Sequence, residues 1–308
     1  MDYIKGITFA PFACQGTFEK EKTYQSLTVM KERTRADFII LVPNGLQDTP
    51  QSETIDYTGK ATIGDEELEK FIAYAKSLGL RVALKPTVNC KNGTWRAHIC
   101  FFDEDVVCEP KWSNWFAAYT EFQLHYARIA QKCGCEMFIA GCEMVQAEKR
   151  ETEWRKLIAD IRKEYTGLVS YNTDKYQEDR VKWWDCVDVI SSSGYYPIDQ
   201  WEQELDRIEK VVKKFHKPFF FAEAGCMSVA GSNRIPNNWC IKGEADLKGQ
   251  AEWYQTMFEA CSKRDWVGGF CIWDWPAWLY QEENAEKQMD YAVYAKPAEN
   301  IIKKYYEL

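Results

Sequence analysis

Short apolar runs alternate along the chain with longer segments whose apolar residues recur every three or four positions. The runs read as strands: Ile4 to Ala10, Ala36 to Val42, Leu80 to Leu84, a run ending at Glu143, Leu168 to Tyr171, Val187 to Ser191, a run ending at Glu223, and Val267 to Ile272. The clearest helical stripe is Leu68, Phe71, Ile72, Ala75 and Leu78, with Asp65 as N-cap and Gly79 as stop. Further helices are predicted from about Glu19, over Ser113 to Cys133, around Trp154 to Ile161, over Tyr176 to Trp184, from Trp201 to Phe215, near Asp246 to Lys263 and over Ala298 to Tyr306. Eight strands alternating with eight helices, without a linker or repeat, predict an α/β fold: one (β/α)₈ TIM barrel over residues 1–308. An open doubly wound sheet would show a Gly-rich turn after its first strand, and Phe9-Ala10-Pro11-Phe12-Ala13 is no such turn.

Two runs end in a charge. Lys217-Pro218-Phe219-Phe220-Phe221-Ala222-Glu223 has the pattern of a strand buried on both faces, and Met137 to Cys142 leads in the same way into Glu143. A carboxylate placed directly after a buried run needs compensation, because leaving it unpaired costs several kcal/mol or shifts its pKa. One such glutamate reads most simply as a cap or an ion-pair partner. Two of them, 80 residues apart, fall three strands apart when each unit takes about 25 to 30 residues. Both then open onto the same barrel face. Paired carboxylates across a barrel mouth are what glycosidic-bond hydrolysis requires, and retention of configuration needs them about 5 to 5.5 Å apart.

Composition narrows the alternatives. A net charge of −8 argues against a nucleic-acid partner, and no apolar run approaches membrane-spanning length. Thirteen tryptophans exceed what a core needs, so some are expected to line a groove. Twelve cysteines are scattered without a paired CxxC spacing, and three histidines leave few ligands, so neither metal nor cofactor is expected. Small buried thiols suit a reducing cytoplasm, and the start Met1-Asp2-Tyr3-Ile4-Lys5-Gly6 lacks an export pattern, so a cytoplasmic location is expected.

Strand ends supply the remaining candidates: Lys85, Asn89, Asn172, Tyr195, Tyr196, Trp273 and Trp275, joined by Trp95 from the long loop running to Pro110. Lysine and asparagine hydrogen-bond sugar hydroxyls, and aromatic rings stack on a pyranose face. Each has a plainer reading: Lys85 as an ion-pair partner, Asn172 as a cap, Trp273 and Trp275 as core. The order of Gly6-Ile7-Thr8-Phe9-Ala10-Pro11-Phe12, Leu84-Lys85-Pro86, Asn92-Gly93-Thr94-Trp95-Arg96, Gly141-Cys142-Glu143-Met144, Tyr195-Tyr196-Pro197, Glu223 and Trp273-Asp274-Trp275 resembles glycoside hydrolase family 113. The resemblance implies a retaining β-1,4-mannanase acting on an oligosaccharide, with Glu143 as acid/base, Glu223 as nucleophile, and Tyr195 or Tyr196 hydrogen-bonded to the nucleophile. Cys142 departs from the asparagine that much of the wider clan carries before its acid/base, and Thr87 stands where a family member commonly has histidine. Other expected readings are a retaining glycosidase for gluco- or xylo-oligosaccharides and a non-catalytic carbohydrate-binding barrel. The loops Lys91 to Pro110 and Ser228 to Glu244 are expected on the active face, closing one end of its groove.

Overall fold

The computed structural model describes residues 1–308. Ten strands are numbered β1 to β10 in chain order. Eight close a parallel barrel: β1 (Ile4–Phe9), β2 (Phe38–Leu41), β4 (Arg81–Leu84), β6 (Met137–Cys142), β7 (Leu168–Thr173), β8 (Val189–Gly194), β9 (Phe219–Ala224) and β10 (Val267–Trp275), which returns to β1. The other two, β3 (Asn44–Gln47) and β5 (Thr87–Cys90), pair in parallel as a small sheet. The chain beyond Pro43, expected to be a loop, is therefore extended here. This small sheet carries Asn89 past the end of its barrel strand.

Seven α-helices wrap the barrel: α1 (Glu21–Thr34), α2 (Asp65–Ser77), α3 (Trp112–Cys133), α4 (Glu151–Glu164), α5 (Trp201–Phe215), α6 (Leu247–Cys261) and α7 (Pro297–Tyr306). The helix expected over Tyr176 to Trp184 does not form. Tyr176 is left-handed at φ 64°, and a single 3₁₀ turn at Trp184–Cys186 leads into β8. The apolar residues there, Val181, Trp183 and Trp184, are buried, so they pack as irregular chain rather than as a helical stripe. α2 starts one residue earlier than expected, with Gly64 as N-cap. Glu67 accepts from the backbone nitrogens of Gly64, Gly16 and Phe18 at 2.8, 2.8 and 2.9 Å, tying the first loop to this helix.

Strand alternation divides the core. In β9, Phe219 and Phe221 join the large cluster between barrel and helices, while Phe220 and Ala222 join the small cluster inside the barrel with Ile4, Phe38 and Met137. Strict alternation would then turn Glu223 outward. One extra residue in β9 prevents this: Ser192 pairs with Phe221 but Ser193 with Glu223, and β10 shows the same slip. β6 carries a matching slip against β7 between Ile139 and Cys142. There Gly141 sits at φ 109°, where an added Cβ would lie 2.3 Å from the Tyr119 hydroxyl, and Glu143 follows at φ 53°. Bulges of this kind re-aim side chains at barrel rims.

Behind β7 lies a buried carboxylate without a cation. Glu148 accepts from the hydroxyls of Tyr171 and Thr173, both at 2.7 Å, and burial still pushes its carboxyl up to about 7. A raised folded-state value means the stabilising contribution is complete below the unfolded value of about 4.3 and is lost as pH rises towards 7. Glu148→Gln should remove that dependence. Denaturant unfolding between pH 5 and 8 should show the wild type losing roughly 3 kcal/mol more than the variant; parallel pH profiles would contradict the assignment.

Candidate active site

The β9 bulge brings Glu223 to the barrel mouth, 5% exposed. Its Oε1 accepts from Lys85 Nζ and from Cys142 Sγ, the latter at 3.2 Å, and its Oε2 accepts from the Tyr195 hydroxyl at 2.8 Å. Burial alone would raise this carboxyl, but the Lys85 ammonium, Arg96 and the Tyr195 hydroxyl hold it below the ordinary carboxylate range. Lys85 is itself fully buried. Burial favours its neutral form, but the Glu223 carboxylate to which it donates keeps its pKa above the ordinary lysine value.

Glu143 stands opposite. Its Oε2 accepts from Trp95 Nε1 at 3.1 Å and Arg96 Nη1 at 2.9 Å, and its Oε1 accepts from Ser193 Oγ at 2.8 Å. One oxygen of Glu143, one of Glu223 and Cys142 Sγ all lie within 4.8 Å of one another. A cation could in principle share these three donors, but Lys85 and Arg96 already supply the positive charge beside them. Beneath the mouth the two carboxylates are joined. Lys85 Nζ donates to Asn172 Oδ1 at 3.1 Å, Asn172 Nδ2 donates to Ser193 Oγ at 3.0 Å, and Ser193 reaches Glu143.

A cavity of about 610 Å³ opens above this floor, lined by Glu143, Glu223, Tyr195, Trp273, Trp95 and Asn89 among others. Both long loops contribute, through Gly93–Arg96 on one side and Asn237–Cys240 on the other. Of the sequence candidates, Asn89, Trp95, Tyr195 and Trp273 line the cavity. Asn89 is braced by Arg96 Nη2 at 3.0 Å and by Asn44 at 2.9 Å. Lys85 and Asn172 are correctly placed at strand ends but lie in the floor, fully buried, where they hold carboxylates rather than face a ligand. Tyr196 and Trp275 do not join the site. Tyr196 points outward and gives its hydroxyl to Glu178, while Trp275 is core, donating from Nε1 to Ser26 Oγ at 3.1 Å.

Sequence reasoning missed Ser193, Arg96 and the pair Asp174–Lys175. Ser193 ends a run of three serines on a strand otherwise expected to be apolar, which was its available signal. Asp174 and Lys175 were hidden by ending strand five too early, since β7 runs to Thr173 and delivers both to the cavity. Trp239 belongs to the loop Ser228 to Glu244, whose sequence gives no sign of which residues face the cavity. It packs edge-on against Trp273 with ring centres 5.9 Å apart, and against exposed Phe12 at 6.2 Å, forming an aromatic rim.

Two carboxylates held this close at the carboxyl-terminal rim of a parallel barrel, under an aromatic-lined cleft, place the chain among the barrel glycoside hydrolases. The model of Glycoside Hydrolase Family 113 matches residues 7–296, and the chain belongs to that family. Two solved structures described as GH113 beta-1,4-mannanase, one of them a complex, are 57% and 56% identical, each with a TM-score of 0.99 over 100% of this chain and 99% of theirs. The GH113 beta-mannanase AaManA from Alicyclobacillus acidocaldarius, solved in complex with ManMIm, is 39% identical with a TM-score of 0.96, covering 100% of this chain and 98% of that one. No curated protein matches the chain. No helix is long and apolar enough to cross a membrane.

The Lys85–Glu223 pair has a measurable consequence. Lys85→Met leaves a buried carboxylate without its cation and should cost about 3–5 kcal/mol of unfolding free energy at neutral pH. Removing both charges with Lys85→Met and Glu223→Leu should cost clearly less than the two single losses combined. Additive losses in denaturant titrations would show that the pair carries no such coupling.

Proposed function

We propose that this chain hydrolyses β-1,4-linked manno-oligosaccharides with net retention of configuration, by a double displacement between Glu223 and Glu143. The observation that carries the reading is the carboxylate spacing. Oxygens within 4.8 Å of each other suit the separation of about 5 to 5.5 Å used in retention, not the roughly 6.5 to 9.5 Å that leaves room for a water in inversion. The sugar comes from the likeness to structures described as β-1,4-mannanases.

In this mechanism Glu223 attacks the anomeric carbon. Its three donors suit that task, because they aim the carboxylate and keep it ionised despite burial. Glu143 gives a proton to the departing glycosidic oxygen, then takes one from the water that opens the glycosyl-enzyme. Ser193, Arg96 and Trp95 orient it. Trp273 at the cavity wall offers a ring to the sugar face, and Asn89 offers an amide to its hydroxyls. No step calls on a metal or cofactor.

Glu223→Ala should abolish turnover of every substrate. Glu143→Ala should lose about 10²- to 10⁴-fold on manno-oligosaccharides yet retain formation of the glycosyl-enzyme from activated aryl β-mannosides, with external azide restoring turnover as the β-configured azide. Indistinguishable variants on activated substrates would remove the basis for the two roles. A panel of β-manno-, gluco- and xylo-oligosaccharides with product sizing tests the sugar.

The proposal extends to short substrates met in the cytoplasm. Twelve free cysteines fit a reducing compartment, and loops from two sides wall the cavity. A groove closed at one end binds chains in a fixed register and releases one sugar per event. Mannohexaose digestion should therefore show steady release of mannose from the earliest time points. Early dimers and trimers with little mannose would identify an open cleft instead.

A further inference from the structure

Glu143 is aimed by its backbone. It is the first residue beyond β6 and sits at φ 53°, a left-handed conformation that persists at a non-glycine residue only where the surroundings over-determine it. Its own N–H donates to the Asn172 carbonyl at 2.8 Å, which fixes the turn from one side. The other side is fixed by the direction of the next N–H. Met144 N finds no carbonyl and donates instead to the Tyr171 hydroxyl at 3.0 Å. One backbone bond and one side-chain bond therefore clamp both soft dihedrals of Glu143.

Tyr171 comes from β7 but faces the shell outside the barrel, its ring 4.8 Å from that of Trp154 and 4.9 Å from that of Trp183. Its hydroxyl proton goes to Glu148 Oε1 at 2.7 Å, which leaves an oxygen lone pair for Met144 N–H. Glu148 in turn donates its own N–H to the Met144 carbonyl at 2.9 Å, and its carbonyl accepts from Trp183 Nε1 at 3.0 Å. The bonds close a ring from Met144 through Tyr171 and Glu148 back to Met144. No member of that ring lines the cavity.

We propose that Tyr171, with its hydroxyl set by Glu148, is a positioning residue for Glu143, holding the left-handed turn that aims the carboxyl at the glycosidic oxygen. The inference rests on the retaining reading of Glu143 and Glu223. Ser193, Arg96 and Trp95 grip the carboxyl head, whereas the ring governs where the chain delivers it. Proton transfer requires the acid within hydrogen-bond reach of its target, so a small displacement of the chain slows the steps that use Glu143. Glu223 hangs from Lys85, Cys142 and Tyr195, none of which belongs to the ring. Its attack on an activated substrate should therefore be spared.

Tyr171→Phe keeps the aromatic packing and removes the hydroxyl. It is assayed on the trisaccharide that the wild type cleaves, mannotriose on the reading above, and on the 2,4-dinitrophenyl β-glycoside of the matching disaccharide, whose departure needs no proton. On the trisaccharide kcat/KM should fall about tenfold. On the aryl glycoside kcat and KM should fall together as glycosyl-enzyme accumulates, and azide should restore kcat. Placed in a Glu143→Ala background, the same substitution should leave the azide-supported rate within about twofold, because a residue acting through Glu143 then has nothing to act on. A tenfold loss in that background too would make Tyr171 a general support of the fold, and wild-type kinetics for Tyr171→Phe would give it no role; either overturns the proposal. Glu148→Leu should reproduce the pattern, and covers the case in which Tyr171→Phe fails to fold. Failure of azide to rescue Glu143→Ala refutes the role given to Glu143, and this inference with it. Rescue of Glu143→Ala with no azide effect on Tyr171→Phe refutes the positioning alone.

Discussion

A carboxylate buried at the top of a barrel must be neutralised by something equally buried, and here that partner is Lys85. Neither group is tolerable alone, since an unpaired charge in this setting costs several kcal/mol. Together they need further donors and acceptors to complete their shells. Asn172 serves the ammonium, while Cys142 and Tyr195 serve the carboxylate. Asn172 also reaches Ser193, which holds Glu143, so both carboxylates hang from one hydrogen-bonded floor spanning β4, β6, β7, β8 and β9. Such a floor fixes the spacing of the two glutamates through side chains already locked by their own partners. That is how a buried polar network gives geometric definition as well as stability.

The backbone makes this arrangement reachable. In a fully buried parallel strand, alternate residues belong to two different cores, and a side chain at the wrong parity faces the helices. β9 inserts one residue before Glu223 and so turns it inward; β6 inserts one that turns Cys142 inward, and Glu143 enters the mouth through its left-handed φ of 53°; β10 slips against β1 between the pairs Ile7–Ile272 and Phe9–Trp275. The third slip separates the fates of two tryptophans only two positions apart. Trp273 faces the cavity and Trp275 the outer core. Bulges therefore decide which rim residues face the cavity.

This explains what the sequence could and could not disclose. Both glutamates were legible because a charge after an unbroken apolar run is costly, whatever the local backbone does. The barrel was legible because strand and helix periods alternate along the whole chain. Parity at the rim was not, since a one-residue bulge leaves no mark in composition except, at Gly141, a glycine that the positive φ demands. Tyr195 and Tyr196 were equivalent on paper, and only the strand's orientation sends the first to Glu223 and the second to Glu178. Lys85 and Asn172 were read as sugar ligands, yet their plainer reading as partners of buried groups fits their burial. The absent fifth helix follows from Tyr176 and the buried tryptophans, whose packing overrides a weak helical stripe.

The vertical layering of the barrel interior shows how such a polar floor can exist at all. Eleven apolar residues fill the inner core, against 73 in the shell between barrel and helices. The inner plug is small because its upper part is given over to polarity. Above Val189 comes a serine layer, with Ser170 donating to the Val189 carbonyl at 2.8 Å and its oxygen 3.0 Å from that of Ser191, and above that the Lys85–Asn172–Ser193 layer and then the two glutamates. Each step upward exchanges hydrophobic burial for hydrogen bonds that contribute only about 1 kcal/mol each but are expensive to leave unmade. The stabilisation forgone inside must come from outside, and the shell supplies it with stacked aromatics such as Trp154 on Trp183 and Phe221 on Phe270. The aromatic richness of the chain thus has two sources. One is the rim, where Trp95, Trp239 and Trp273 meet the cavity; the other is the shell, which bears the cost of a charged interior.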